Sequence, residues 1–234
     1  MDSAWNSRTT EADEVAMLPP VGPQGVPPNL DHLLLGTPDL EEGVTWVTDR
    51  LGVEATFGGR HENLGTANYL LSLGEDIYLE IIGPDPEASP RDDPLPFGIE
   101  ALEEPGLVTW AARGRDLEAV VARASARGVP LGDVRPGSRM RPDGRELRWE
   151  ITALTTSLHE GLVPFFIDWG TTPHPARATP AGGQLLWFRA EHPDPSAVRS
   201  TLESLDLSLE VEEGPEPALV AGIRTPRGDE VELR

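Results

Sequence analysis

LDHLLLGTPDLEEGVTWVTDRLG, Leu30 to Gly52, is the stretch that decides the fold. An apolar strand carrying one histidine, His32, ends at Gly36-Thr37-Pro38, and a helix follows. Asp39 is a good N-cap, Glu42 three residues later completes a capping-box pattern, and Val44, Val47 and Leu51 recur at helical spacing. Gly52 suits the position just past the helix end. A histidine inside such a strand is either packed and hydrogen-bonded or a ligand facing a pocket.

The strand–cap–helix pattern returns twice. Leu107 to Ala112 precedes Asp116, whose helix carries Leu117, Val120, Val121 and Ala124 and stops at Gly128. Leu185 to Ala190 precedes Asp194 and Pro195, and Val198, Leu202 and Leu205 follow. The three capping aspartates lie 77 and 78 residues apart. Short β segments follow each helix. In the first copy these are Val53 to Phe57 ending at Gly58-Gly59, Asn68 to Leu73, and Ile77 to Ile82. The second copy has strands near Val134, Glu146 to Leu154 and Val163 to Trp169. The third has Leu207–Val211, Ala218–Ile223 and Glu230–Leu233. Three copies in register are the mark of internal duplication of a βαβββ unit.

Composition limits the function. The 234 residues carry 40 acidic against 19 basic side chains, a net charge of −21. All the bases are arginine. This balance argues against nucleic acid or an anionic membrane as partner. Cysteine is absent, which excludes disulfides, thiolate metal sites and a cysteine nucleophile. No apolar run reaches membrane-spanning length and no signal-peptide pattern opens the chain, so a cytoplasmic location is expected. Residues 1–29, rich in proline and polar residues, read as a mobile arm. No GxGxxG or Walker loop is present, so no nucleotide cofactor is expected.

The tandem βαβββ pattern resembles the vicinal oxygen chelate superfamily of glyoxalases, extradiol dioxygenases and bleomycin-resistance proteins. It resembles most the glyoxalase-like domain family, through Leu30-Asp31-His32, Gly58-Gly59-Arg60-His61, Gly65-Thr66-Ala67-Asn68, Tyr78-Leu79-Glu80, Leu147-Arg148-Trp149, Pro164 to Trp169, and His174-Pro175. The resemblance implies an α+β fold with a half-open barrel from two units over residues 30–175, plus an accessory βαβββ-like unit over 182–234. That third unit either packs on the barrel or pairs with a second chain in a homodimer. The implied activity is that of a small-molecule enzyme of lyase, isomerase or dioxygenase type. The alternative is a non-catalytic binding or sequestration protein of the resistance type.

In such metalloenzymes the first and last strands of a unit supply His and Glu ligands. Here they are His32 and Glu80, with Asp168 closing the second unit, for a divalent metal (Zn, Fe, Mn or Ni). The alternative is a hydrogen-bonded His–Glu pair in a pocket wall. The repeat spacing puts Thr109 and Trp187 where the other copies would match His32, so a symmetric four-ligand site is not written. His61, read as lying on a turn after two glycines, is an acid/base candidate, and Asn68 places an amide nearby. Alternation lets one of Arg148 and Trp149 face the cavity, and an arginine there would bind a carboxylate or phosphate. Trp169 and His174 complete the expected substrate-binding set.

Overall fold

The structure is a computed structural model that describes residues 25–141, 144–154 and 158–234. The arm read over residues 1–29 lies outside it up to residue 24.

The first unit runs β1 (Leu30–Gly36), α1 (Leu40–Leu51), β2 (Thr56–His61), β3 (Thr66–Ser72) and β4 (Tyr78–Pro84). The second runs β5 (Gly106–Arg113), α2 (Leu117–Ala126), β6 (Arg135–Met140), β7 (Glu146–Ile151) and β8 (Phe165–Asp168). Together they form one eight-stranded sheet in the order β2-β3-β4-β1-β5-β8-β7-β6. Each half is the mirror of the other in this order. β1 lies parallel to β4 and β5 parallel to β8, while β1 and β5 meet antiparallel at the centre. The two ends of the sheet curl toward each other until β2 and β6 touch: a side chain on Gly59 would collide with the Met140 carbonyl. The expected α+β half-open barrel of two units is the architecture observed.

All three aspartates cap their helices. Asp39 accepts from the backbone N–H groups of Glu41 and Glu42, Asp116 from Ala119 and Asp194 from Ala197. Each satisfies donors that helix geometry leaves unpaired. Gly52 ends α1 in the left-handed conformation at φ 72°, which glycine adopts without steric cost.

The third unit has the expected element order but a different pairing. It runs β9 (Gln184–His192), α3 (Pro195–Ser204), β10 (Glu210–Glu213), β11 (Ala218–Arg224) and β12 (Glu230–Leu233). Its four-stranded sheet has the order β10-β9-β11-β12. The opening strand therefore sits between the second and third strands instead of beside the fourth. This sheet packs on the outer face of the barrel. Leu30, Leu33 and Leu35 of β1, Trp110 and Ala112 of β5, and Phe188, Leu219 and Ala221 of the third unit share one buried cluster. Trp110 meets Phe188 edge to face at 5.7 Å and anchors its indole N–H on the Leu162 carbonyl.

Two local readings change. Gly58-Gly59 is not a turn; it lies inside β2, where Gly58 is an extra residue between the pairs Phe57–Tyr69 and Gly59–Asn68. His61 is accordingly the last residue of a strand.

Candidate active site

The cavity opens on the inner face of the barrel, and a β-bulge in β1 decides what lines it. Strict alternation would send Asp31 to the opposite face from His32, into the leucine core, at a prohibitive desolvation cost. The register with β5 slips between Leu30 and His32, so Leu30 and Leu33 both enter the core while Asp31 and His32 both turn toward the site. One added residue re-aims a side chain in this way.

His32, 2% exposed, stands between two carboxylates. Its Nδ1 lies 2.8 Å from Asp31 Oδ1 and its Nε2 3.4 Å from Glu80 Oε2. Tyr78 stacks on its ring at 4.4 Å. Asp31 is completely buried and acts as a hub. It also accepts from Trp169 Nε1 at 3.2 Å and His174 Nε2 at 3.2 Å, and pairs with Arg113 Nε at 3.3 Å. Burial pushes the Asp31 carboxyl up, but hydrogen bonds from His174 and His32 outweigh that and hold it far below the usual carboxylate range. His174 accepts the Ala176 backbone N–H on Nδ1, so its Nε2 carries the proton given to Asp31.

Glu80 is 6% exposed. Asn68 Nδ2 donates to its Oε1 at 2.6 Å, and His61 Nε2 stands 3.9 Å from the same oxygen. Burial again pushes this carboxyl up, and His32, His61, the Asn68 amide and Arg139 together bring it below its ordinary value. Burial lowers His61, whose Nδ1 lies 3.0 Å from Thr66 Oγ1. Burial drives the Tyr78 hydroxyl well up, helped by the charges of Glu80 and Asp31.

The depressed carboxyl keeps Glu80 ionised beside the His32 ring. The arrangement is a poised acid–base pair.

The residues singled out in the sequence divide. His32, His61, Asn68, Glu80, Trp149 and Trp169 line one inner pocket, and His174 stands behind it on Asp31. Arg148 does not reach it. Its side chain is 76% exposed and pairs with Glu146, because alternation along β7 turns Trp149 inward. Asp168 faces away too and accepts the Gly170 backbone N–H at 2.8 Å. The pairing registers set Phe165 against Ala111 as they set Glu80 against Leu34, so the second unit offers Phe165 where the first offers Glu80. Thr109, matching His32, donates to the Gly161 carbonyl. The facing His32, His61 and Glu80 thus come from the first unit, and Trp149, Phe165 and Trp169 of the wall from the second.

Two contributors escaped the sequence reading. Asp31 was hidden by the bulge. Arg139, on the edge strand β6, is 6% exposed and donates from Nη1 to Asn68 Oδ1 at 2.7 Å. Its only trace in the sequence is the alternation of Gly137 and Arg139 in a strand otherwise poor in apolar residues.

The side chains do not fit the expected metal set. Asp168 is turned away. His32 and His61 approach different oxygens of Glu80, one of which already accepts from Asn68. Among the described residues no group of three or more His, Cys, Asp or Glu side chains is placed to hold a metal ion.

The inner pocket, about 60 Å³, shares His61, Leu64, Arg139, Trp149, Ile151 and Leu154 with an outer groove of about 720 Å³. The groove also carries Arg60, Arg135 and Arg141.

A family model described as a glyoxalase-like domain matches residues 30–205. Among solved structures, a hypothetical protein from Staphylococcus aureus superposes with a TM-score of 0.63 at 15% identity, covering 88% of this chain and 98% of that one. The shared fold therefore extends into the third unit. Methylmalonyl-CoA epimerase from Mycobacterium tuberculosis matches with a TM-score of 0.39 at 20% identity, over 62% of this chain and 89% of that one. The Streptomyces coelicolor epimerase, in complex with 2-nitronate-propionyl-CoA, matches with 0.40 at 19%, over 59% and 95%. No curated protein matches the chain. No helix among the described residues is long and apolar enough to cross a membrane.

Proposed function

The chain belongs to the glyoxalase-like domain family, and from that premise we propose that it is a small-molecule enzyme of isomerase or lyase type that moves a proton at a carbon beside a carbonyl. The observation that carries this reading is the buried pair of His32 and Glu80 at the floor of a cavity, backed by Asp31. An ionised carboxylate lining a cavity is placed to accept a proton from a bound ligand. Glu80 takes the proton from the substrate carbon, the C–H electron pair forms the carbon–carbon double bond, and the carbonyl π pair moves to oxygen, giving an enolate. Return of the proton to that carbon or to a neighbouring atom completes an isomerisation. The positive charge on Arg139 lowers the cost of the negative charge that develops. His61, kept neutral by burial, is available as a second proton acceptor on the other side of Glu80. No step of this reading runs through a metal, since the donor set does not converge.

The test is exchange of solvent deuterium into a panel of 2-oxo and 2-hydroxy carbonyl compounds, followed by proton NMR. The expected result is exchange that falls about 10²- to 10⁴-fold in Glu80→Gln, the range for removal of a general base. A compound turned over by the wild type without deuterium incorporation, and equally well by Glu80→Gln, would falsify the mechanism.

The aromatic wall supports a second reading, in which the protein binds and sequesters its ligand. Trp149 and Trp169 lie 5.4 Å apart and Phe97 and Phe165 6.1 Å apart around the pocket. In that case a panel compound binds, neither exchanges nor is consumed, and is recovered intact.

A further inference from the structure

Arg139 is a buried cation that touches no carboxylate among the described residues. Among the described residues its guanidinium hydrogen-bonds the neutral Asn68 amide, and no acidic side chain lies within ion-pair distance. Every other feature of its setting is arranged to keep it there. Its stem crosses the seam of the barrel over Gly58 and Gly59, and a methyl group on Gly58 would overlap both Arg139 Nη1 and Asn68 Oδ1. It lines both the inner pocket and the outer groove. A buried charge with no counter-charge in contact is costly, and proteins retain one where a ligand supplies that contact. In a chain of net charge −21, acidic partners are abundant, yet Glu80 reaches this arginine only across the Asn68 amide.

We propose that Arg139 is the anchor for a carboxylate on the ligand, so that the molecule taken up is an organic acid with an apolar body. The planar guanidinium fork matches a carboxylate, and its nitrogens not used by Asn68 remain for it. Asn68 holds the two functions apart. Its carbonyl oxygen takes Arg139 and its amide nitrogen takes Glu80, so the amide stops the arginine from closing a direct ion pair with the base. The anionic group and the reacting carbon are thereby set one side-chain amide apart, the separation of a carboxylate from a carbon only a few bonds away. Trp149 and Phe165 line the same pocket and suit an aromatic or branched body. The assignment rests on the acid–base reading only for which bond reacts; the anion site stands on the geometry of Arg139.

The experiment is calorimetric titration of the full chain with phenylpyruvate and phenyllactate, beside their neutral amides and inorganic phosphate. The expected result is saturable binding of the acids, with the amides at least about tenfold weaker, as loss of one charge-assisted hydrogen bond gives. Arg139→Met should lose about 10- to 100-fold in acid binding, and Arg139→Lys should recover part of it. Glu80→Gln should keep acid binding while losing deuterium exchange, which separates failure of the anion site from failure of the chemistry. Circular dichroism of each variant checks that it folds, and the comparison of acid with amide needs only the wild type. Acids and amides binding the wild type equally, no binding of either acid, phosphate binding in place of the acids, or a folded Arg139→Met that binds the acids undiminished would each overturn the proposal.

Discussion

Asp31 is the residue on which the site turns. It is fully buried and accepts from two histidines and an indole while pairing with a guanidinium. Its folded-state carboxyl is depressed, so its contribution to stability is complete above the unfolded value of about 3.9 and is lost as pH falls through and below that value. Asp31→Asn removes this term and leaves the Arg113 guanidinium without its carboxylate partner. The variant should be less stable than wild type at neutral pH by about 3–5 kcal/mol, the range for breaking a buried pair. The gap should narrow as pH falls from about 5 toward 2. Urea unfolding midpoints measured across that range check it. A constant gap would mean that Asp31 contributes through packing alone. His32 was legible as a candidate because a lone histidine in an apolar strand stands out. Asp31 was not, because alternation assigns it to the other face and only the pairing with β5 shows the slip.

At the scale of the element, β2 and β6 show how an edge strand can matter more than a central one. Gly58 is an extra residue in β2, and the space left by its missing side chain is filled by Arg139 and Asn68. Gly58→Ala should displace both at a cost of about 1–3 kcal/mol, as overpacking does. It should weaken acid binding nearly as much as Arg139→Met. Wild-type acid affinity in Gly58→Ala, measured by the same calorimetry, would show that Arg139 does not need the gap. The glycine pair was visible in the sequence and its use was not. A Gly-Gly dipeptide reads as a turn by local propensity, whereas here it serves close approach between strands at opposite ends of the sheet. The same limit applies to β7, where alternation offered Arg148 or Trp149 and only the curl of the sheet chose Trp149.

For the whole molecule, the third unit is part of the barrel's own core. Phe188 of β9 is fully buried against Trp110 of β5. The outer face of β1, whose inner face carries His32, is covered by the same cluster. Unfolding in urea should therefore give coincident transitions by tryptophan fluorescence and circular dichroism, as a single cooperative core requires. Phe188→Ala should lower stability by about 3–5 kcal/mol without splitting that transition. Two separated transitions would show that the third unit folds independently.

The sequence by itself determined the local structure: three capped helices, each between strands, at a period that marks duplication. Capping and helical periodicity depend on residues a few positions apart, so the chain states them openly. It also put His32 and Glu80 on strands whose pairing brings them together. Only the tertiary structure decided what joins them. The bulge that admits Asp31, the seam that admits Arg139, the outward turn of Asp168 and Arg148, and the altered strand order of the third unit all depend on register between segments distant in the chain. Register follows from how whole faces pack, and a one-residue slip moves a side chain from core to cavity.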